Sequence, residues 1–555
     1  MSGDQGISGF IRCLQCIPEW TVINHAYIPF YAEKISCIVI CEIAYIVVLY
    51  LTIVIKMTII LLNNTLRKKR AKKKGYACNG VEIMKKWKNR VGEWGRQINN
   101  VPIGKVDWIL FLTMAVFIFF TLFYEDLIII YKHSLTFLDS AFHLDLGNFY
   151  ANTLENHYNG VGAVYYWTVY FVIGIWNLPI WILTQIFDMN VFSVKCMLWC
   201  KLEIVFFLVL SVWMLGKILE EHGFCRNNVR LAQFLFVSAL MTVMPTLATG
   251  QVDIITVFMM LWGIYEYVKT DKITWKFLLI FSFAASLKIF ALFVFIPLVL
   301  LKEKRILAVI GDFMAGLLFI ALSLVPYAWR TDYHESSDFL TDIMSQRLFS
   351  TSAPGGNSGI PIFAALLVAI TIWAYVMEVK EKEDYLFYVN WIALAVFANF
   401  FITVFAHPYW IVLLEPYLVI AYIQNGKRRK VNLILEFFIN AAISFYYVGS
   451  FGVYITENSF SYLVLSRIGF TVNGGIDSAG KIIEKLGINL PVFYSIFAAC
   501  MIAFLVINYP KYMPQTSEER QYARDDNKFD HGMIYLRLLL VLVFILANIL
   551  VSYIV

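Results

Sequence analysis

Charged residues are scarce in this sequence. Asp, Glu, Lys and Arg make up only 15% of its 555 residues, while 60% are hydrophobic and 17% aromatic. Soluble chains contain about a quarter charged residues, so this chain is predicted to lie in a lipid bilayer. With 30 Gly, 14 Pro and nine Cys, it is neither collagen-like nor a disulfide scaffold. The formal net charge of +6 does not require a nucleic-acid partner, and none is expected.

Metal-ligand patterns and internal repeats are also few. Cys13 and Cys16 form a lone CxxC motif, without a second such pair or a pair of His residues nearby. We therefore expect no cofactor and no metal site, although a divalent metal is compatible with the sequence. The chain shows no short repeat and no inverted duplication of its apolar pattern, which weakens a transporter interpretation.

Long apolar runs predict the fold class: an all-α, polytopic transmembrane helical bundle of about 11–14 membrane segments with extracytoplasmic loops. Several runs are shorter than a full crossing of about 20 residues, so some segments are expected to be re-entrant. The runs lie at 36–62, 107–124, 163–187, 201–221, 231–246, 252–268, 277–301, 306–329, 361–378, 386–405, 409–424, 431–455, 491–508 and 535–555.

The distribution of charge predicts the orientation. Loop 63–106 has thirteen Lys or Arg against two acids and is expected in the cytoplasm. Loop 125–162 has five acids, three His and one Lys and is expected outside. The same rule puts two basic runs, 302–305 and 427–430, in the cytoplasm. Counting runs from there puts the remaining loops outside: 330–360, 456–490 and the turn His407–Pro408.

One region gives conflicting predictions. Basic residues on both sides of 231–268 put its turn, Gly250–Asp253, outside, whereas strict alternation of spans puts that turn inside. A re-entrant segment at 163–187 or at 277–301 would remove the conflict. Irregular backbone at membrane depth is tolerated only where it lines a cavity or is buried in protein.

The first candidate site follows the run 107–124, which ends in Glu125–Asp126. The simple interpretation is a polar, solvated end of the helix. The alternative is a general base, held rigidly beside the bilayer, that takes a proton from an acceptor hydroxyl; Asp126 is the first choice and Glu125 its neighbour. The rest of the loop predicts an amphipathic helix at the membrane surface. There Asp145 is a second candidate base, or else a solvated loop acid.

Two further candidates lie inside apolar runs. Gln251 and Asp253 follow Pro245 and Gly250 in MPTLATGQVDII, where they either support a site or cap a broken helix. Lys288 stands alone near the middle of its run, so snorkelling to an interface explains it poorly. Two half-helices that point Lys288 at an anion, such as a lipid phosphate, would explain it.

The last candidate is the sequence FAHPYWIVLLEPYL at 405–418. His407 can donate to a phosphate or relay a proton near neutral pH. Tyr409 and Trp410 beside it would bind substrate, or else form the aromatic belt common at a membrane interface.

These elements together resemble the GT-C superfamily of integral-membrane glycosyltransferases, especially the polyprenyl-phosphate-mannose-dependent type. The resemblance covers roughly 107–425. It rests on Glu125–Asp126 before a long external loop, TGQVD at 249–253, ASLKIFALFVFIPLVLLKEKR at 285–305 and HPYW at 407–410.

The resemblance implies transfer of a sugar from a polyprenyl-phosphate monosaccharide to an acceptor hydroxyl, with inversion at the anomeric carbon. Asp126 would then be the base, with Asp139 or Asp145 as alternatives, and Glu125 would orient the acceptor. Lys288 and His407 would bind the donor phosphate. Sugar contacts or support of the site would come from Gln251, Asp253, Tyr409, Trp410 and Asp145.

The expected partners are the lipid-linked sugar donor, a lipid-linked or cell-envelope glycan acceptor, and membrane lipids. The predicted location is the bacterial plasma membrane, with an extracytoplasmic active site. Three regions are expected: 1–106 with an extra span and the basic loop, a catalytic module at 107–330, and a variable membrane module at 331–555. The competing functions are a transporter or lipid flippase, and a non-catalytic subunit of an envelope-synthesis complex.

Overall fold

The computed structural model describes residues 103–157, 160–187, 189–353, 359–451, 483, 485–514, 516–525 and 531–554. The predicted span 36–62, the basic run 67–74 and the CxxC motif lie outside these residues, as does most of the loop 456–490. The three predicted regions therefore stay a prediction.

Within the described residues the chain is built from helices, which confirms the all-α polytopic fold. The first ten are α1 (Lys105–Thr121), α2 (Glu125–Phe142), α3 (Phe149–Glu155), α4 (Trp167–Ile186), α5 (Val194–Glu221), α6 (Arg226–Ser238), α7 (Leu240–Val243), α8 (Asp253–Val268), α9 (Trp275–Leu287) and α10 (Phe290–Lys302). The next ten are α11 (Ile306–Gly316), α12 (Leu318–Leu324), α13 (Thr331–Ser350), α14 (Ile362–Val376), α15 (Tyr385–Thr403), α16 (Glu415–Gln424), α17 (Arg429–Phe451), α18 (Leu490–Ile507), α19 (Ser517–Asp525) and α20 (His531–Ile554). Two short antiparallel strands, β1 (Ser352–Ala353) and β2 (Ile360–Pro361), follow α13.

Many of the apolar segments are interrupted. Five helices of the described part are long and apolar enough to cross a membrane, and three bent pairs would bring the number to eight. Helices α1 and α2 meet at 67°, α6 and α7 at 59°, and α11 and α12 at 44°. A bend leaves backbone groups without helical partners, so the sequence must supply others there.

Helices α9 and α10 form a re-entrant hairpin that turns at Lys288. Each has 13 residues, about 20 Å of helix. The Phe277 ring, near the start of α9, lies 5.6 Å from the Phe295 ring in α10. At the far end of α10, Lys302 donates to the carbonyl of Tyr267, near the end of α8, and to that of Thr270, just after α8. Both outer ends of the hairpin therefore lie at the end of the bundle that carries 269–276 and 302–305, called here the basic face.

Helix α4 also begins and ends on one side, opposite the basic face. Near its start, Thr168 donates to the Ser286 carbonyl beside the hairpin turn, at 3.0 Å. Beyond its end, the Phe192 ring lies 6.0 Å from the ammonium of Lys132 in α2. From the sequence, one re-entrant segment, 163–187 or 277–301, was expected to remove the conflict; the described residues show two. With both, all the basic flanks lie on the basic face and the turn Gly250–Asp253 lies on the opposite one, called here the site face.

A helical layer covers the site face. The predicted surface helix of the loop 125–162 is α2, and α3 follows it. Helix α13, polar and unexpected from the apolar runs, packs on α3, where Asp332 accepts from the backbone N–H of Ala151 at 3.1 Å. An aromatic core that includes Tyr150, Tyr327 and Tyr333 joins these elements.

Candidate active site

Four interruptions of the helical bundle meet at the site face. They are the bend before α2, the turn before α8, the tip of the α9–α10 hairpin, and residues 404–407 between α15 and the 3-10 segment Pro408–Leu413. Each interruption carries at least one residue that was predicted from the sequence to belong to the site. Non-helical backbone therefore occurs here around a shared cluster of polar side chains, as expected where it lines a site.

Asp126 and Gln251 are brought together from distant parts of the chain. Asp126 lies in the first turn of α2, and its Oδ2 accepts from Gln251 Nε2 at 3.4 Å. Gln251 follows Gly250, whose φ of +68° is a left-handed conformation that favours glycine. Gln251 Oε1 is buried and has no hydrogen-bond partner among the described residues. This acceptor is thus available to a hydroxyl of a bound molecule.

Asp253 and Lys288 form a buried ion pair. Their side chains are 0% and 8% exposed, and Lys288 Nζ lies 3.4 Å from Asp253 Oδ1. The same ammonium donates to the Tyr165 hydroxyl at 3.2 Å and faces the Tyr165 ring. Lys288 stands between two half-helices, as predicted, and it is not a snorkelling lysine. Its charge is largely matched by Asp253, so Lys288 alone does not provide a free cation.

His407, Tyr409 and Trp410 lie together in the wall of the site. The ring of His407 is 4.5 Å from that of Tyr409 and 5.6 Å from that of Trp410. Tyr409 and Trp410 are 6% and 3% exposed, which does not fit an outward-facing aromatic belt. Trp410 packs on Phe290 of the hairpin, with ring centroids 4.9 Å apart. The Tyr124 ring approaches Tyr409 at 6.4 Å and so brings the segment before Asp126 to this wall.

Glu125 and Asp145 are the remaining residues that were predicted to belong to the site. Glu125 is the first residue of α2, but its side chain lies outside the described part of the structure. Asp145 lies beyond the far end of α2, about 24 Å of helix from Asp126. It accepts from Asn148 at 2.7 Å and from Asn152 at 3.2 Å. The structure therefore does not bring Asp145 to the cluster around Asp126 and Lys288.

Two cations near the site were not predicted from the sequence. Arg347, near the end of α13, stacks over the Phe405 ring at 5.5 Å and lies within electrostatic range of His407. No ion pair of Arg347 occurs among the described residues. Its helix carries no apolar run, so no apolar pattern in the sequence marked it.

The second missed cation is Lys201 in α5, which is fully buried. It donates to the carbonyls of Ile118 and Phe119 at 3.3 and 2.9 Å, and to that of Leu122. These carbonyls end α1, so Lys201 fixes the bend from which Asp126 emerges. Lys201 is the first residue of the run 201–221 and stands two residues before Glu203, so its place in the sequence did not mark it as Lys288 was marked.

The fold and the site define a class: a polytopic helical membrane protein with a polar, enzyme-like site at one end of the bundle. The comparison with protein families is more specific. Residues 176–424, from α4 to α16, match the model of glycosyltransferase family 87, whose members are integral-membrane enzymes of the GT-C type. The resemblance to GT-C enzymes is thus confirmed, and the match indicates a membrane glycosyltransferase. No curated protein and no solved structure matches the chain.

The matched segment contains most of the site. Gln251, Asp253, Lys288, Arg347 and His407 lie within it, whereas Asp126 precedes it. In the described part of the chain, no three His, Cys, Asp or Glu side chains are placed to hold a metal ion.

Proposed function

We propose that this protein transfers a sugar from a polyprenyl-phosphate monosaccharide to an acceptor hydroxyl, with inversion at the anomeric carbon. The observation that carries the proposal is the convergence of Asp126 with the Lys288–Asp253 pair around Gln251. A carboxylate that can take a proton then lies near the hairpin tip, where Lys288 can support a phosphate site.

In the proposed reaction, the acceptor oxygen attacks the anomeric carbon while its proton passes to Asp126. The bond between that carbon and the phosphate oxygen breaks, and the lipid phosphate leaves. Because a phosphate is a stable leaving group, cations that stabilise its developing charge are sufficient and a general acid is not required. Glu125 is the proposed neighbour that orients the acceptor.

The charges of the site fit a donor with one phosphate. Asp253 matches the charge of Lys288, so Arg347 is the additional cation beside His407. The phosphodiester of a lipid-phosphate sugar carries a single negative charge, which one guanidinium can match. Arg347 and His407 are thus the proposed phosphate ligands, and Lys288 supports them at the hairpin tip. The buried acceptor oxygens of Gln251 and Asp253 are the proposed partners of sugar hydroxyls.

The test is transfer by the purified full chain, with radiolabelled polyprenyl-phosphate sugars and candidate acceptor glycans, in the presence and absence of EDTA. We expect labelled product from at least one donor, and unchanged transfer with EDTA. Label in no product, together with substrate flux in proteoliposomes, would instead support a transporter.

The matched variants are Asp126→Asn and Asp139→Asn, both on α2. Loss of a general base lowers kcat about 10²–10⁴-fold, so we expect that loss for Asp126→Asn with little change in KM for the donor. Asp139 is more than half exposed and pairs with His143, so its variant should retain activity. Full activity of Asp126→Asn would show that Asp126 is not the base.

A further inference from the structure

The break between α6 and α7 leaves two backbone groups that need partners. Ala239 is extended, with φ −69° and ψ 135°, and the two helices bend by 59°. In a continuous helix the carbonyl of Leu235 would accept from Ala239, and the N–H of Met241 would donate to Val237. Both groups are buried inside the bundle, where an unsatisfied backbone group costs several kcal/mol.

Two side chains from the end of the sequence supply those partners. Asn440 of α17 accepts from the Met241 N–H at 3.0 Å. Arg537 of α20 donates to the Leu235 carbonyl at 2.6 Å. Both residues follow the family-matched segment 176–424. The break is thus capped on each side by helices beyond the matched segment.

The same two side chains hold two buried carboxylates. Asn440 Nδ2 donates to Glu415 Oε2 at 3.1 Å and to Glu436 Oε1 at 2.7 Å. The Arg537 guanidinium lies 3.7 Å from Glu415 and contacts Glu436. All four side chains are at most 4% exposed. Removing one member leaves a buried charge or amide without its partner, which is costly.

This cluster, Glu415–Glu436–Asn440–Arg537, lies next in sequence to two parts of the site. Met241 precedes Gln251 by ten residues, through α7 and one π-helical turn. Glu415 begins α16 directly after the 3-10 segment that carries Tyr409 and Trp410. A shift of the break or of Glu415 would therefore displace site residues.

We infer that Asn440 and Arg537 are positioning residues of the transferase site, which set the placement of Gln251–Asp253 and of Tyr409–Trp410 by capping the break and binding Glu415. The C-terminal helices are then part of the catalytic unit. The kinetic consequence of this inference rests on the proposed function; its structural consequence does not.

The test compares Asn440→Ala with Asn432→Ala, a matched variant on the same helix. Asn432 is fully buried and forms an amide pair with Asn508 at 2.9 and 3.0 Å, away from the break. Hydrogen–deuterium exchange of the peptides covering 240–253 is the first measurement. We expect faster exchange there in Asn440→Ala and unchanged exchange in Asn432→Ala. This measurement needs no substrate, so it stands even if the proposed function fails.

The second measurement is transfer kinetics. For Asn440→Ala we expect kcat to fall at least tenfold while KM for the donor changes less than threefold, and for Asn432→Ala both to stay near wild type. Arg537→Lys should retain more activity than Arg537→Gln, because a cation still lies beside the two carboxylates. If Asn440→Ala does not fold, the two Arg537 variants provide the same comparison.

Two results would overturn the inference. One is equal exchange at 240–253 in both asparagine variants. The other is a fall in activity that matches the fall in melting temperature equally in both, since that is what a general packing role would give.

Discussion

Replacing Lys288 with Met should destabilise the protein because it leaves Asp253 as an unmatched buried charge. The side chains are 8% and 0% exposed, and their charged atoms are 3.4 Å apart. Removing one partner of such a pair costs about 3–5 kcal/mol. The lost hydrogen bond to Tyr165 adds about 1 kcal/mol. Met keeps most of the apolar stem, so the loss reports the charge rather than the packing.

The double variant Asp253→Asn with Lys288→Met separates stability from function. It removes both charges, so we expect it to recover at least half of the free energy of unfolding that Lys288→Met loses. Transfer should remain low because the hairpin tip no longer supports the phosphate site. The control is Lys427→Met, which breaks an ion pair with Glu519 whose side chains are 63% and 32% exposed. That pair should contribute less than about 1 kcal/mol.

The assay is reversible unfolding in mixed micelles, followed by tryptophan fluorescence, with the four proteins of a double-mutant cycle. A coupling free energy above about 2 kcal/mol is expected between Asp253 and Lys288. Single variants that each lose less than 1 kcal/mol, with effects that simply add, would show that the two charges do not depend on each other.

Three other predictions concern the frame of the site. Gly250→Ala should lose transfer activity. A φ of +68° costs a residue with a side chain about 1–2 kcal/mol, and the new Cβ would lie 3.2 Å from a methyl group of Leu127. Measurements of kcat and of the melting temperature test this. Lys201→Met should lower kcat at least tenfold, because the end of α1 loses the lysine that binds its carbonyls. Lys195 is exposed on the same helix, so Lys195→Met should leave kcat unchanged. A wild-type kcat in Lys201→Met would contradict the role of Lys201. Burial raises the pKa of Asp332, but hydrogen bonding and charge from Arg330 outweigh it and hold that pKa below its ordinary 3.8. The pair therefore stabilises the fold above about pH 4 and loses this effect as pH falls further, so the melting temperatures of wild type and Asp332→Asn should differ at pH 6, and the difference should shrink as the pH falls below 3.8.

The sequence predicted the helical segments because apolar runs must satisfy their own backbone hydrogen bonds in a bilayer. It also marked Lys288 and Asp253, since an ionisable residue inside an apolar run requires a partner. The helical break at Lys288 was predicted for the same reason. Helix α13 escaped prediction because polar external helices have no apolar period to reveal them.

Which apolar segments cross the bundle could be decided only from the tertiary structure. Charge bias showed a conflict near 231–268, and one re-entrant segment was expected to resolve it. The contacts of Lys302 and Thr168 show two instead. Length and hydropathy do not distinguish a crossing helix such as α5 from α4, which returns to its own side, because both are long and apolar enough to cross a membrane.

What the sequence determined by itself was the membrane class, the helical fold, the GT-C resemblance and most of the residues that meet in the site. Only the tertiary structure decided which of these residues touch, Gln251 with Asp126 and Asp253 with Lys288, and only it revealed Arg347 within electrostatic range of His407. The physical reason is that a polar side chain in an apolar run shows that a partner is needed, but the partner's identity depends on how broken helices pack. Packing is a property of the whole bundle, and contacts between distant segments leave no local pattern in the chain.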